Sequence, residues 1–363
     1  PPPPPPPPTT PLILFRRQRQ MCIRDRTFQV GDTLTIGDPL TVTGTLTIID
    51  ASGNGIILGG ATATNELKLT DADLDNITAT NLIFNTTGNI TVDGVTQPNT
   101  ISGGIELNAT DATSVVTFKT TASTFGTLDI NADAGVSIEI GVTTSGAVTL
   151  DADADDNGTG NLVVAASGSL TTGGNALSIT ANDVALAGSL NSGAGLVTIT
   201  DSDGTGIGLI PLNTDDVLGR LNLSQADLNM ITSTAGLTLQ TSAGILVNGI
   251  TPPTNLSGTL TLDAGTSITF SGTQSSFASL DAQADDGINV DVNLSTTGDL
   301  TLNGDANDAD DGNSNDDISF ANNVVVSAGG ALSVSATTGE LSGGTNLTFQ
   351  VGDTPVSYTH LRA

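Results

Sequence analysis

Apolar and small polar residues alternate along most of this chain. Leu34, Ile36, Leu40, Val42, Leu46 and Ile48 are separated mainly by Thr, Gly and Asp, the period-two pattern of a strand with one buried face. The pattern returns in short runs over 89–93, 104–108, 115–119, 127–131, 136–140, 147–151 and 162–165, bounded by Gly, Asn, Asp or Ser. β-Branched Thr, Val and Ile suit a pleated surface, and the residues between the runs accept the backbone angles of tight turns. The pattern predicts an all-β chain.

The runs are themselves repeated. LKLTDADLDNITATNLIFNTTGNITVDGVTQP, from Leu67 to Pro98, returns as LNLSQADLNMITSTAGLTLQTSAGILVNGITPP, from Leu221 to Pro253. The offset is 154 residues at Leu67 and Leu221 and 155 at Gly94 and Gly249, so one residue has been inserted between these anchors. Further on, Ser102 to Ile130 matches Ser257 to Ala282, which sets Phe118 and Phe125 opposite Phe270 and Phe277. Gly135 to Gly158 then matches Gly287 to Gly312, acidic loop included. TFQVGDT stands at 27–33 and again at 348–354, which predicts a third copy beginning there.

Short strands at regular spacing suit a β-solenoid or tandem β-sandwich domains. Residues 27–355 hold eight Phe and nothing larger, which favours a narrow aliphatic core over the wide core of a sandwich. The repeated unit exceeds an immunoglobulin-like domain of roughly 100 residues and has no linker at its borders. Stacked rungs also tolerate small insertions, because each touches only its neighbours. The expectation is a β-solenoid over 27–355, with two superunits of about 154 residues anchored at 67–98 and 221–253; tandem β-sandwiches are the alternative. A strand spacing of about 4.8 Å would make the span a rod roughly 50 to 80 Å long.

The two ends have another character. Residues 1–26 carry eight consecutive prolines and five arginines within eleven residues, and 356–363 read VSYTHLRA. A back-translation of Val356 to Leu361, taken as its reverse complement, encodes Met21 to Asp25. Both ends resemble one transposase-end adapter from sequencing libraries, read in opposite directions. They are set aside as adapter-derived and disordered, and 27–355 is read as an internal fragment.

This exclusion changes the charge. Residues 27–355 keep only Lys68, Lys119 and Arg220 against 37 acids, a net charge of −34, and contain no Cys, His, Tyr or Trp. No disulfide framework, thiolate nucleophile or His-based triad can be built from them. So acidic a span repels nucleic acid and anionic lipid, and no run of eighteen apolar residues predicts a membrane-spanning helix. Neither partner is expected.

Two acidic loops are the candidate chemistry. Asp151, Asp153 and Asp155 alternate before Asn157 and Gly158, and Asp305, Asp308 and Asp310 recur within DANDADDGNSNDD. Carboxylates at spacing two can wrap oxygens around Ca²⁺, but an EF-hand wants Gly at position 6 and Glu at 12, where this chain has Asp156 and Leu162. The expectation is weak Ca²⁺ binding there and no other cofactor. Thr70 with Asp73, and Ser224 with Asp227, fit the capping signature of a short helix at a solenoid corner. Phe118 and Phe125 are expected to fill core width.

GIILGGATATNELKLTDADLDNITATNLIFNTTGNITVDG, with its echo from Gly206 to Gly249, resembles repeats of large bacterial surface proteins of the filamentous-haemagglutinin and autotransporter-adhesin type. The resemblance covers most of 27–355 as a pattern of composition and period. It implies a right-handed parallel β-helix exported to the cell surface, with roles in adhesion or matrix building, and it transfers no functional residue. The resulting expectation is a non-catalytic, monomeric rod, extracellular or on the outer membrane, acting as stalk or adhesive passenger toward glycans or another cell surface. The alternatives are a carbohydrate-active β-helix enzyme, whose sign would be two carboxylates in a groove, and a purely structural spacer.

Overall fold

A computed structural model describes residues 25–31, 33–60, 62–211, 219–307, 316–352 and 354–357. They are all-β apart from two five-residue helices, α1 (Asp71–Asp75) and α2 (Gln225–Asn229). The chain passes through three faces in turn and then returns to the first, one level further on. Face one is a single sheet of thirteen strands, from Arg26–Val30 to Leu332–Ser335. Face two is two seven-stranded sheets; face three is two five-stranded sheets and the pair Leu40–Thr41 with Ile77–Thr78.

Among the described residues every strand pairing is parallel except one, which rules out tandem β-sandwiches, whose sheets are antiparallel. The exception joins Thr348–Val351 to Thr354–Ser357. Val356 and Ser357 belong to the segment set aside as adapter-derived, and so do Asp25, whose carboxylate accepts the Thr45 amide, and Arg26, which pairs with Leu46. Residues 1–24 and 358–363 lie outside the described residues.

Alternation produces the core. On face one Leu128 pairs with Val148, Val148 with Leu177 and Leu177 with Val197, all buried. The shortest circuits take 20 residues, as from Leu128 to Val148. One apolar cluster runs unbroken from Val30 to Phe349. Outward positions carry Thr, Ser and Asn, and Asn85, Asn108 and Asn131 form a ladder of side-chain amides at 2.7 and 2.8 Å. Phe118 and Phe125 meet edge to face at 6.2 Å inside the core, and Phe270 and Phe277 are buried likewise, so all four fill core width as expected.

The anchors are where the circuit is interrupted. After laying Ile56–Gly59 on face two, the chain doubles back and lays Leu67–Leu69 on the same face, on the N-terminal side of that strand. Then α1 leads to Ile77–Thr78 on face three. The second copy repeats this, with Leu221–Ser224 added beside Ile207–Ile210 and followed by α2. The anchor circuits therefore run 36 residues (Leu46 to Leu82) and 40 (Val197 to Leu237). Leu69, Leu74 and Ile77 are fully buried, as are Leu223, Leu228 and Ile231, so the two trios share one environment.

Six circuits separate the copies on face one. The offset is 151 residues at Leu46 and Val197, 155 at Leu82 and Leu237, and 152 at Leu128 and Leu280. Drift is absorbed at the corners, where added residues break no ladder. The two TFQVGDT strings do not mark the same place in the unit. Thr27 to Val30 lie on face one, whereas Thr348–Val351 lie on face three, so the second string does not start a third copy in the frame of the first.

Candidate functional site

The acidic residues gather where face one turns into face two. One such corner, 152–160, reaches past the one-residue corner at Asn182 to touch the turn at 201–206. Asp153 makes that contact and is fully buried. Its Oδ2 accepts from the Ser202 hydroxyl at 2.6 Å and the Gly158 amide at 3.1 Å, and its Oδ1 from the Gly160 amide at 3.2 Å. This carboxylate organises the corner from within.

Its neighbours point elsewhere. Asp151 accepts the Asp153 amide at 3.1 Å, and exposed Asp155 accepts from Asn157 at 2.6 Å. Burial raises the pKa of Asp151, and the charges of Asp156, Asp153 and Asp133 add to the rise. Burial also raises Asp133, with Asp155, Asp111 and Asp153 contributing. Asp305 matches Asp153 in the second copy and is equally buried; its Oδ2 accepts from the Thr338 amide at 2.6 Å and hydroxyl at 2.9 Å. Asp308 and Asp310 lie outside the described residues.

Asp151, Asp153 and Asp155 therefore do not converge on one point. Among the described residues no three acidic, His or Cys side chains are arranged to hold a metal. The physical reason is that Asp153, the central one, is turned inward with both oxygens taken by the Gly158 and Gly160 amides and the Ser202 hydroxyl, while Asp155 stays exposed.

Alternation alone does not single out a second pair of turns. Asp50 and Asp201 open matching turns, DASGNG at 50–55 and DSDGTG at 201–206. In the first, Asp50 Oδ1 accepts the Ser52 amide at 2.9 Å and hydroxyl at 2.6 Å, and Oδ2 accepts the Gly55 amide at 2.8 Å and the Thr86 hydroxyl at 2.9 Å. In the second, Asp201 Oδ2 accepts the Gly206 amide at 2.8 Å and the Thr241 hydroxyl at 2.7 Å, while buried Oδ1 has no partner. Asp203 stands where the first turn has Ser52. Burial alone would raise Asp50, but its donors outweigh it and leave the pKa below the ordinary value. Burial pushes Asp201 up to about 6; Thr241 and Gly206 oppose the rise and the Asp203 carboxyl adds to it. The serine-to-aspartate difference between the copies was the signal available in the sequence.

The anchors hold a third arrangement. Asp73 and Asp227 close the capping boxes of α1 and α2 with Thr70 and Ser224, as their spacing predicts. Each also reaches the circuit below. Asp73 Oδ1 accepts the Ile36 amide at 2.9 Å, and Asp227 Oδ1 accepts the Leu186 amide at 3.0 Å. The added strand leaves these amides without a ladder partner, and the cap carboxylate supplies one.

Two grooves are open at the surface. One on face three is lined by Gln97, Pro98, Thr124, Phe125, Thr143 and Ser145 without a carboxylate among its walls. Another holds Asp286 and Asp317 with Thr266, Ser267, Asn289 and Ser319, and Asp317 Oδ1 already accepts the Glu340 amide at 2.7 Å. Among the described residues no helix is long and apolar enough to cross a membrane. Compared with family models, with curated proteins and with solved structures, the chain matches none.

Proposed function

We propose that this chain is a segment of a right-handed parallel β-helix: a rod-like, non-catalytic stretch of an exported bacterial surface protein, serving as stalk or adhesive passenger. The observation that carries the reading is the single apolar cluster threading thirteen parallel strands beneath an exterior of Thr, Ser and Asn. Such a stack grows along one axis without enlarging its cross-section, which suits a spacer that holds something away from a surface. At about 4.8 Å per strand the thirteen strands extend about 60 Å. The acidic, lysine-poor exterior keeps neighbouring rods apart.

Small-angle scattering on the purified chain tests the shape, with a rod about 60 Å long expected and a globular profile ending the proposal. Glycan-array and cell-binding assays separate the roles. Saturable binding supports an adhesive passenger, and its absence leaves the spacer.

A further inference from the structure

We propose that Asp201 and Asp203 hold one proton between them at Asp201 Oδ1, which makes the 201–206 turn a pH-sensitive latch at the join between the two repeated units. The turn is closed when the pair is protonated and loosened when both carboxyls are charged. The matching turn at 50–55 has no such dependence above the ordinary carboxylate range.

The geometry starts from Oδ1, buried and without a partner on a residue only 5% exposed. A buried charged oxygen with no donor is costly. The first copy shows what this position requires, because there two donors of Ser52 reach the equivalent atom. Replacing that hydroxyl by the Asp203 carboxyl removes a donor and brings in an acceptor. Two carboxyls side by side cannot both remain charged cheaply, so one keeps its proton and donates it to the other. The pKa of Asp201, raised to about 6, agrees with this.

The other elements around the pair leave Oδ1 unserved. Strand Gly236–Thr241 brings the Thr241 hydroxyl, which goes to Oδ2. Corner 152–160 brings Asp153, whose oxygens are taken by Ser202, Gly158 and Gly160, with Asp155 and Asp156 exposed on the same loop. Gly158 stands against Asp203 Oδ2. Asp203 Oδ1 accepts the Thr205 amide at 3.0 Å and hydroxyl at 2.8 Å, and that hydroxyl also reaches the Gly219 carbonyl beside Arg220. A hard cation would need about six to eight oxygens, and no three ligating side chains are arranged for one among the described residues. A proton needs two.

The position of the turn supplies the consequence. Ser202, inside it, ties to Asp153 on the preceding unit across 49 residues of chain. Loosening the turn loosens that tie, so the join between units is held more firmly in mildly acidic surroundings.

Hydrogen exchange followed by mass spectrometry on the full chain tests the latch, reading the peptides that carry the Gly206 and Gly55 amides. After correction for intrinsic exchange, protection at Gly206 is expected to fall about tenfold between pH 5 and pH 8, while Gly55 stays constant. Asp203→Ser, which restores the first copy's arrangement, should abolish the fall, and Ser52→Asp should create one at Gly55. A fall that persists in Asp203→Ser, or none in the parent chain, overturns the proposal. So does recovery of protection at pH 8 on adding 1 mM CaCl₂ (roughly the affinity of weak extracellular sites), which would place a cation where the proton is assigned. None of these results bears on the rod.

Discussion

Asp227 Oδ1 accepts the amide of Leu186, 41 positions earlier in the chain, at 3.0 Å, while its Oδ2 accepts the Ser224 amide at 2.9 Å. One carboxylate thus caps a helix and closes the seam that the added strand opens. Asp227→Ala opens the capping box of α2, whose N-cap is Ser224, at a cost up to that of losing a cap, about 0.5–2 kcal/mol, and strands a buried amide at about 1–3 kcal/mol. A combined loss of about 2–4 kcal/mol is expected in urea unfolding. Asp73→Ala, at a more exposed capping box, should cost less. If Asp227→Ala costs only as much as a simple cap, the seam contact contributes nothing.

The edge-to-face pair Phe118 and Phe125 joins face two to face three within the core. Phe118→Ala is expected to cost about 3–5 kcal/mol, and a double-mutant cycle with Phe125→Ala should return a coupling of about 0.5–1.5 kcal/mol. Additive losses would mean that the rings merely occupy space side by side.

Gly55 and Gly206 sit at φ +114° and +110°, and a Cβ there would lie 2.5 Å from the Asn89 carbonyl oxygen and 2.6 Å from that of Gly244. Both amides also serve the buried carboxylates, so neither backbone can relax freely. Gly55→Ala and Gly206→Ala should each destabilise by at least about 1–3 kcal/mol, the usual cost of a residue in a strained region. Thermal melts would show this, and an unchanged midpoint in either would contradict it.

The pH dependence has a definite sign. Burial raises Asp129, Asp133, Asp151, Asp201 and Asp285. A carboxyl whose folded pKa lies above its unfolded value contributes stability that is complete below the unfolded value and lost as pH rises through the folded one. Asp50 is lowered, so its contribution is present above the unfolded value and lost as pH falls through the folded one. Glu66 is lowered as well, to about 2, by the amides of Thr64, Glu66 and Asn65, but it lies near the solvent, which screens its contribution. The raised groups outnumber these two, and the net charge of −29 adds repulsion as carboxyls ionise. The melting temperature is expected to be higher near pH 5 than near pH 8, with the gap narrowed by salt. A midpoint that climbs from pH 5 to pH 8 would contradict this balance.

Because the Gly158 and Gly160 amides and the Ser202 hydroxyl occupy both oxygens of Asp153, calorimetric titration with Ca²⁺ is expected to show no saturable heat below millimolar concentration, and EDTA should leave the melt unchanged. A saturable heat would mean that the corner 152–160 rearranges around the ion.

The acidic loops show why the site was harder to read than the strands. Asp at spacing two looks like a ligand set in one dimension, but Asp153 turns inward while Asp155 stays exposed. A turn can satisfy a carboxylate with its own amides, and alternation does not reveal which oxygens are already taken. Asp201 is legible only in the difference between DSDGTG and DASGNG, where Asp203 replaces the donor that Ser52 supplies.

What the sequence determined by itself is which residues face inward. Leu128, Ile130 and Phe118 are buried because alternation on a pleated strand puts every second side chain on one side, and that rule needs no knowledge of neighbours. The capping boxes of Thr70 and Ser224 are equally local. The tertiary structure alone decided which face and level each strand occupies. TFQV makes a strand on face one at Thr27 to Val30 and on face three at Thr348–Val351, and Leu67–Leu69 doubles back beside Ile56–Gly59 although its pattern is that of any other run. Inside and outside follow from side-chain period; register and level follow from pairing between segments 20 to 40 residues apart, which a local pattern cannot specify.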